Sequence, residues 1–253
     1  MDSTSRASTA PGPPAPRLFC FHHAGGSPSS FLGWRDRLGP RVEVRPLTFA
    51  GRGTDLSSTA AALNEAIGRH DDVPFAFYGH SMGALVAYHV ARLRAALRLP
   101  APLLLAVGAS AAPDVPGPIA GLARLPDAEL LAVLARIGGW TRPAHFTPQW
   151  ADLALARIRA DLALWTNEQA RQGATPASSL LNAPVAALDC PIEAFAGLHD
   201  PLVPMHAVNA WHRHTAGSWR LHRMTGGHFF TRDPRGAFFT RLSGALDRAL
   251  AAA

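Results

Sequence analysis

The chain has 253 residues, 48% hydrophobic and 17% charged, which fits one large α/β domain with an extensive core and excludes a disordered chain. Its formal net charge of +6 comes from arginine alone, since no lysine occurs, and no basic run with interleaved aromatics points to nucleic acid. Two cysteines, Cys20 and Cys190, are too few for a disulfide scaffold and read as buried thiols of a cytoplasmic protein. Neither Cys-x-x-Cys nor His-Glu-x-x-His is present, so no metal is expected.

Residues 1–16 are rich in Ser, Thr, Ala and Pro and lack an apolar core. They read as a flexible tail, neither a signal peptide nor an anchor, ahead of one domain over 17–253. Apolar stretches such as Leu103 to Val107 are too short to span a bilayer. Arg17 to Phe21 is an apolar strand that ends in His22-His23-Ala24-Gly25-Gly26-Ser27. Such a Gly-Gly loop can turn backbone N–H groups toward an anion. The paired histidines lack the further ligands a metal needs. Ser29 to Leu38 is expected to be a helix with Phe31, Trp34 and Leu38 on one face. Val42 to Leu47 alternates as a strand. It leads into Ala50-Gly51-Arg52-Gly53, where Arg52 either meets a substrate phosphate or braces the loop. Thr59 to Arg69 is a helix.

Phe75 to Tyr78 is a strand feeding Gly79-His80-Ser81-Met82-Gly83, and a helix rich in small residues runs on to about Leu97. Gly-x-Ser-x-Gly is specific only in this strand-turn-helix setting, where the serine sits on strained backbone. The glycines let strand and helix approach, and the helix start aims free N–H groups at the serine. His89, inside that helix, reads as a packing residue. Pro102 to Gly108 is a wholly apolar strand, suited to a sheet covered on both faces. The β-α-β-α-β-α-β order predicts a mostly parallel sheet with helices on both sides.

From about 119 to 181 only helical patterns occur, including Asp127 to Arg136 and Pro148 to Thr166. Their apolar positions, among them Leu130, Leu134, Ile137, Leu153, Leu155, Ile158, Leu162 and Trp165, suit helix–helix core and also a lid over an acyl pocket. Trp140 and Trp150 flank a Gly138-Gly139 and Pro143 junction. The sheet resumes at Ile192 to Ala196. Asp200 follows that strand, at the carboxyl edge where open α/β sheets place their chemistry. Met205 to His214 is a helix and Trp219 to Met224 a last strand, after which Gly226-Gly227-His228 presents a histidine. Pro234 to Leu250 closes the chain as a helix.

Ser81, Asp200 and His228 follow one another in the chain order of an α/β-hydrolase. His228 is the base that takes the Ser81 proton and later protonates the leaving group. Asp200 fixes the tautomer of the ring and stabilises its cation. The oxyanion needs two preorganised donors, and these are the N–H of Met82 and the N–H of Ala24.

The sequence resembles type II thioesterases. Phe21-His22-His23-Ala24-Gly25-Gly26 is similar to that family's Phe-Pro-His-Ala-Gly-Gly loop, and Ala50-Gly51-Arg52 to its Pro-Gly-Arg. Gly79 to Gly83, Arg159-Ala160-Asp161 and Gly226-Gly227-His228-Phe229-Phe230 resemble its elbow, a lid motif and its histidine loop. The likeness covers residues 17 to about 250. His22 and Ala50 stand where the family has proline, and Ser110-Ala111-Ala112-Pro113 lacks its arginines. The resemblance implies hydrolysis of aberrant or stalled acyl groups from the phosphopantetheine thiol of acyl or peptidyl carrier proteins in polyketide or nonribosomal peptide synthesis. Chain release or cyclisation, and a small-molecule carboxylesterase, are the alternatives. No cofactor is implied beyond the substrate's own phosphopantetheine arm, and with no heptad or repeat a monomer is expected.

Overall fold

A computed structural model describes residues 15–49, 55–115, 119–139, 147–174 and 187–253. Most of the expected tail, the Arg52 loop, Trp140 and Pro143 of the junction and the end of the expected lid lie outside the described residues.

Among the described residues six strands form one sheet: β1 (Arg17–Phe21), β2 (Glu43–Pro46), β3 (Phe75–His80), β4 (Leu105–Gly108), β5 (Ile192–Gly197) and β6 (Trp219–Met224). Their order is β2-β1-β3-β4-β5-β6, and every pairing is parallel. The chain starts inside the sheet, places β2 outside β1, and crosses to put β3 on the other side. That reversal opens a crevice beyond the carboxyl ends of β1 and β3, where ligands of open α/β sheets bind.

Helices cover both faces. α1 (Trp34–Leu38) and α8 (Phe238–Ala251) pack on one side. There they meet Leu18, Cys20, Ala76, Tyr78, Ala106 and Phe195. α2 (Leu56–Gly68), α3 (Met82–Ala96) and α7 (Met205–Asn209) belong to the other side. The partners there are Phe19, Phe21, Phe77, Val107 and Ala194. Successive residues of the central strands thus point into opposite cores, which is why β3 and β4 are buried along their whole length. Among the described residues, three helices lie between β4 and β5: α4 (Ile119–Leu122), α5 (Asp127–Arg136) and α6 (Pro148–Ala174).

Some expected boundaries moved. The helix expected over Ser29 to Leu38 is two pieces. A 3-10 turn at Pro28–Phe31, capped by the Ser27 side chain, is followed by Leu32 and by Gly33 at φ 76° before α1 begins. Gly33 takes the left-handed conformation that ends the first turn. The expected apolar face survives, since Phe31, Trp34 and Leu38 are all buried. The helix expected over Met205 to His214 tightens to 3-10 geometry after Asn209. The last helix starts at Phe238 rather than Pro234. α6 runs to Ala174, beyond Thr166.

Candidate active site

Ser81 stands between β3 and α3 at φ 54° and ψ −122°. A non-glycine residue there costs on the order of 1–3 kcal/mol and persists only when its surroundings hold it. The Ser81 N–H donates to the Gly108 carbonyl at 2.7 Å, tying the turn to the end of β4. The flanking glycines are steric necessities. A Cβ at Gly79 would sit 2.3 Å from the Ala84 Cα, and one at Gly83 would sit 2.2 Å from the Phe21 carbonyl oxygen. The second contact seats the start of α3 against the end of β1, beside the Ala24 loop.

Asp200 and His228 follow the ends of β5 and β6. His228 Nδ1–H donates to Asp200 Oδ2 at 2.8 Å, and both side chains are almost wholly buried. Asp200 Oδ1 accepts the N–H groups of Leu202 at 2.8 Å and Val203 at 3.2 Å. The carboxylate therefore shapes its own turn and orients the ring. The Asp200 bond commits Nδ1, so Nε2 is the nitrogen left for a proton from Ser81. The Ser81 hydroxyl is not hydrogen-bonded to the ring in this structure. Such bonds are commonly long in unliganded hydrolases and tighten when substrate binds. The two loops meet because Gly197 has no side chain: a Cβ there would lie 2.3 Å from the Gly227 carbonyl oxygen.

His80, read from the sequence only as part of the motif, supports the histidine loop. Its Nε2 lies 3.0 Å from the His228 carbonyl oxygen, and its Nδ1 lies 2.9 Å from the Tyr78 hydroxyl. A carbonyl only accepts, so Nε2 carries the proton and Nδ1 accepts from Tyr78. Full burial pushes the His80 pKa well below its usual value and keeps the ring neutral. Gly108 makes room for the pair, because a Cβ there would lie 2.5 Å from the Tyr78 hydroxyl. The available signal was two polar residues at i and i+2 inside a buried strand, a costly placement unless they bond.

The Ala24 loop is a four-residue turn. The His23 carbonyl accepts the Gly26 N–H at 2.9 Å, and Gly25 lies at φ 72° in the third position, as a type II turn demands. His22 Nδ1 and His23 Nδ1 each lie 2.9 Å from the carbonyl oxygen of the following residue. Burial lowers the pKa of both rings to about 4, so both are neutral donors at neutral pH. His22 stacks on Phe49 at 3.9 Å, and His23 and Phe229 pack edge to face at 4.9 Å. His89 is fully buried in α3, with its pKa lowered to about 3 by that burial, as suits a packing residue. Among the described residues no group of three or more His, Cys, Asp or Glu is placed to hold a metal ion. No helix among them is long and apolar enough to cross a membrane.

Ser81, Ala24 and His228 open onto one cavity of about 580 Å³. Its roof is Leu122 of α4, Leu134 of α5, and Ile158 and Leu162 of α6. Leu153, counted in the sequence among the apolar helix positions, is largely exposed at the lip of this cavity. A second recess of about 780 Å³ lies past His23 and Phe229, lined by Phe31, Trp34 and Tyr78 and lacking Ser81. Of the two, only the smaller space is lined by Ser81 and His228. An apolar chamber over an activatable serine suits transfer of an apolar acyl group.

The sequence pattern of the family described as Thioesterase domain matches residues 16–246. Thioesterase PikA5 of Streptomyces venezuelae is 31% identical over 233 residues, spanning 87% of this chain and 78% of that protein. The solved structure of RedJ, a thioesterase from the prodiginine biosynthetic pathway in Streptomyces coelicolor, superposes with a TM-score of 0.78 at 32% identity, covering 95% of this chain and 91% of the other. YbtT, a type II thioesterase from the yersiniabactin NRPS/PKS biosynthetic pathway, superposes with a TM-score of 0.77 at 25% identity, covering 94% and 95%.

Proposed function

The chain belongs to the thioesterase domain family, and from that premise we propose that it is an editing (type II) thioesterase of polyketide or nonribosomal peptide synthesis. It removes aberrant or stalled acyl groups from the phosphopantetheine thiol of acyl or peptidyl carrier proteins. The observation that carries this reading is one apolar cavity holding Ser81, Ala24 and His228, with Asp200 bonded to the far side of the histidine.

In this reading Ser81 Oγ attacks the thioester carbonyl as His228 Nε2 takes its proton. The oxyanion meets the N–H groups of Ala24 and Met82, the latter at the positive end of the α3 dipole. Asp200 stabilises the imidazolium. His228 then protonates the departing pantetheine sulfur, leaving the acyl group on Ser81. A water, deprotonated by His228, releases the free acid and restores the serine. No metal or organic cofactor enters these steps. The apolar roof holds the acyl chain, and the thiol leaves toward the carrier.

The test is a panel of acyl-loaded carrier proteins followed by intact-protein mass spectrometry. Wild-type enzyme is expected to strip short and mis-loaded acyl groups as free acids, with no loss of turnover in a chelator. A macrocyclic product would indicate chain release. Rapid cleavage of p-nitrophenyl esters with carrier thioesters left intact would make the protein a carboxylesterase.

A further inference from the structure

One face of α6 grips the oxyanion loop. The Gly25 N–H donates to Asp161 Oδ2 at 2.8 Å, and Arg157 donates to the Gly26 carbonyl at 2.9 Å. Ile158, between them on the same face, packs so closely that a Cβ at Gly25 would lie 2.3 Å from its Cγ1. Elsewhere on the same helix Arg159 donates to the carbonyls of Ala123 and Leu125, at 2.6 Å each, and to Asp127. α6 therefore joins the other two roof helices to the loop that carries Ala24.

We propose that Asp161 is a positioning residue that sets the oxyanion donor, resting on the thioesterase reading above. The Ala24–Gly25 peptide is held at both ends: its N–H by Asp161 and its carbonyl by His23 Nδ1. The Gly25 N–H is thus spent on the carboxylate and is unavailable to substrate. The donor is the N–H one peptide earlier, at Ala24. The orientation of the central peptide separates a type II turn from a type I turn, and a glycine at the third position tolerates both. Asp161 selects one of them. Without an acceptor, the Gly25 N–H would face the apolar cavity wall unpaired, and the peptide would turn over to relieve it. The Ala24 N–H, on the preceding peptide, would not turn over, but it would lose the Asp161 anchor that fixes its loop against α6. Because Ile158 and Leu162 of the same helix line the acyl chamber, the wall that receives the acyl chain also sets the donor for its carbonyl.

The test compares Asp161→Ala with Asp161→Asn, which keeps an oxygen for the Gly25 N–H. Steady-state kinetics on a short p-nitrophenyl ester and on an acyl-pantetheine thioester are read beside affinity for an alkyl boronic acid, which mimics the tetrahedral adduct. Asp161→Ala is expected to lower kcat by about 10- to 100-fold on both substrates, with KM changed less than about threefold and boronate affinity weakened in parallel. Asp161→Asn is expected to recover most of both losses. Asp161→Ser, too short to reach the loop, replaces the alanine variant if that fails to fold. A folded Asp161→Ala enzyme with unchanged kcat and boronate affinity overturns the proposal, as does an asparagine variant no better than alanine. A wild-type enzyme that cleaves the ester but leaves carrier thioesters intact would overturn the editing reading alone, because the ester and boronate still report on the donor.

Discussion

The strand ends that carry Ser81, Asp200 and His228 are held differently from the helices above them. At the rim, backbone meets backbone: Gly79 against Ala84, Gly83 against Phe21, Gly197 against Gly227. Each contact leaves no room for a methyl group, and buried hydrogen bonds such as His80 to His228 complete the frame. The roof of α4, α5 and α6 is held by apolar side chains and by a few charged anchors such as Arg159. Gly121 of α4 meets nothing within 4 Å of where its Cβ would be. The rim glycines leave no room for a methyl group, whereas Gly121 in the roof does. In the proposed function, the first region carries the chemistry and the second the substrate choice.

The largest effect that this contrast predicts is at Ser81. Ser81→Ala is expected to cut turnover by at least about 10⁴-fold while leaving the melting transition near wild type; a variant retaining a tenth of the activity would remove the rim from the chemistry. The next test places one substitution in both regions. Gly83→Ala should destabilise by about 3 kcal/mol or more, by forcing α3 off β1, and should lose activity with it. Gly121→Ala should stay within about 1 kcal/mol of wild type and keep full turnover. Equal losses in chemical denaturation would erase the contrast. Within the roof, Leu134→Phe is expected to lower kcat/KM for long acyl thioesters by about tenfold and to spare acetyl, the scale at which one apolar group discriminates.

A separate effect is on pH. His22 and His23 titrate near 4 in the folded chain because burial disfavours their charge, whereas an unfolded histidine titrates near about 6.5. Between those values the unfolded state binds more protons. Stability is therefore full above about pH 6.5 and falls toward pH 4, by up to about 1.4 kcal/mol per pH unit for each ring. Melting curves between pH 7.5 and 5 should show a falling midpoint, and replacing His22 with Gln should flatten the fall.

The same division explains what was legible in the sequence. β1 was legible to the residue because its alternate residues feed two opposed cores; β6, an edge strand buried only at Met224, also has the bounds expected. Ser81, Asp200 and His228 stand out in the sequence because each lies just past a strand end; the structure brings the last two into contact and opens one cavity onto Ser81 and His228. The elbow glycines were visible as a motif, but Gly108 and Gly197 were not: their need comes from Tyr78 and Gly227, far away in sequence. The break at Gly33 was hidden because Phe31, Trp34 and Leu38 keep helical spacing across it. Asp161 was visible only as part of a lid motif. Its partner at Gly25 is 136 residues away, and nothing local announces that bond.

The most direct measurement is to trap the acyl-enzyme. An acyl-pantetheine thioester is mixed with enzyme, quenched within milliseconds, digested and read by mass spectrometry, with His228→Ala and Ser81→Ala alongside. The account predicts a transient acyl group on the peptide containing Ser81, absent from Ser81→Ala and formed far more slowly in His228→Ala. Free acid released with the acyl group on another residue, or at an undiminished rate from Ser81→Ala, would contradict it.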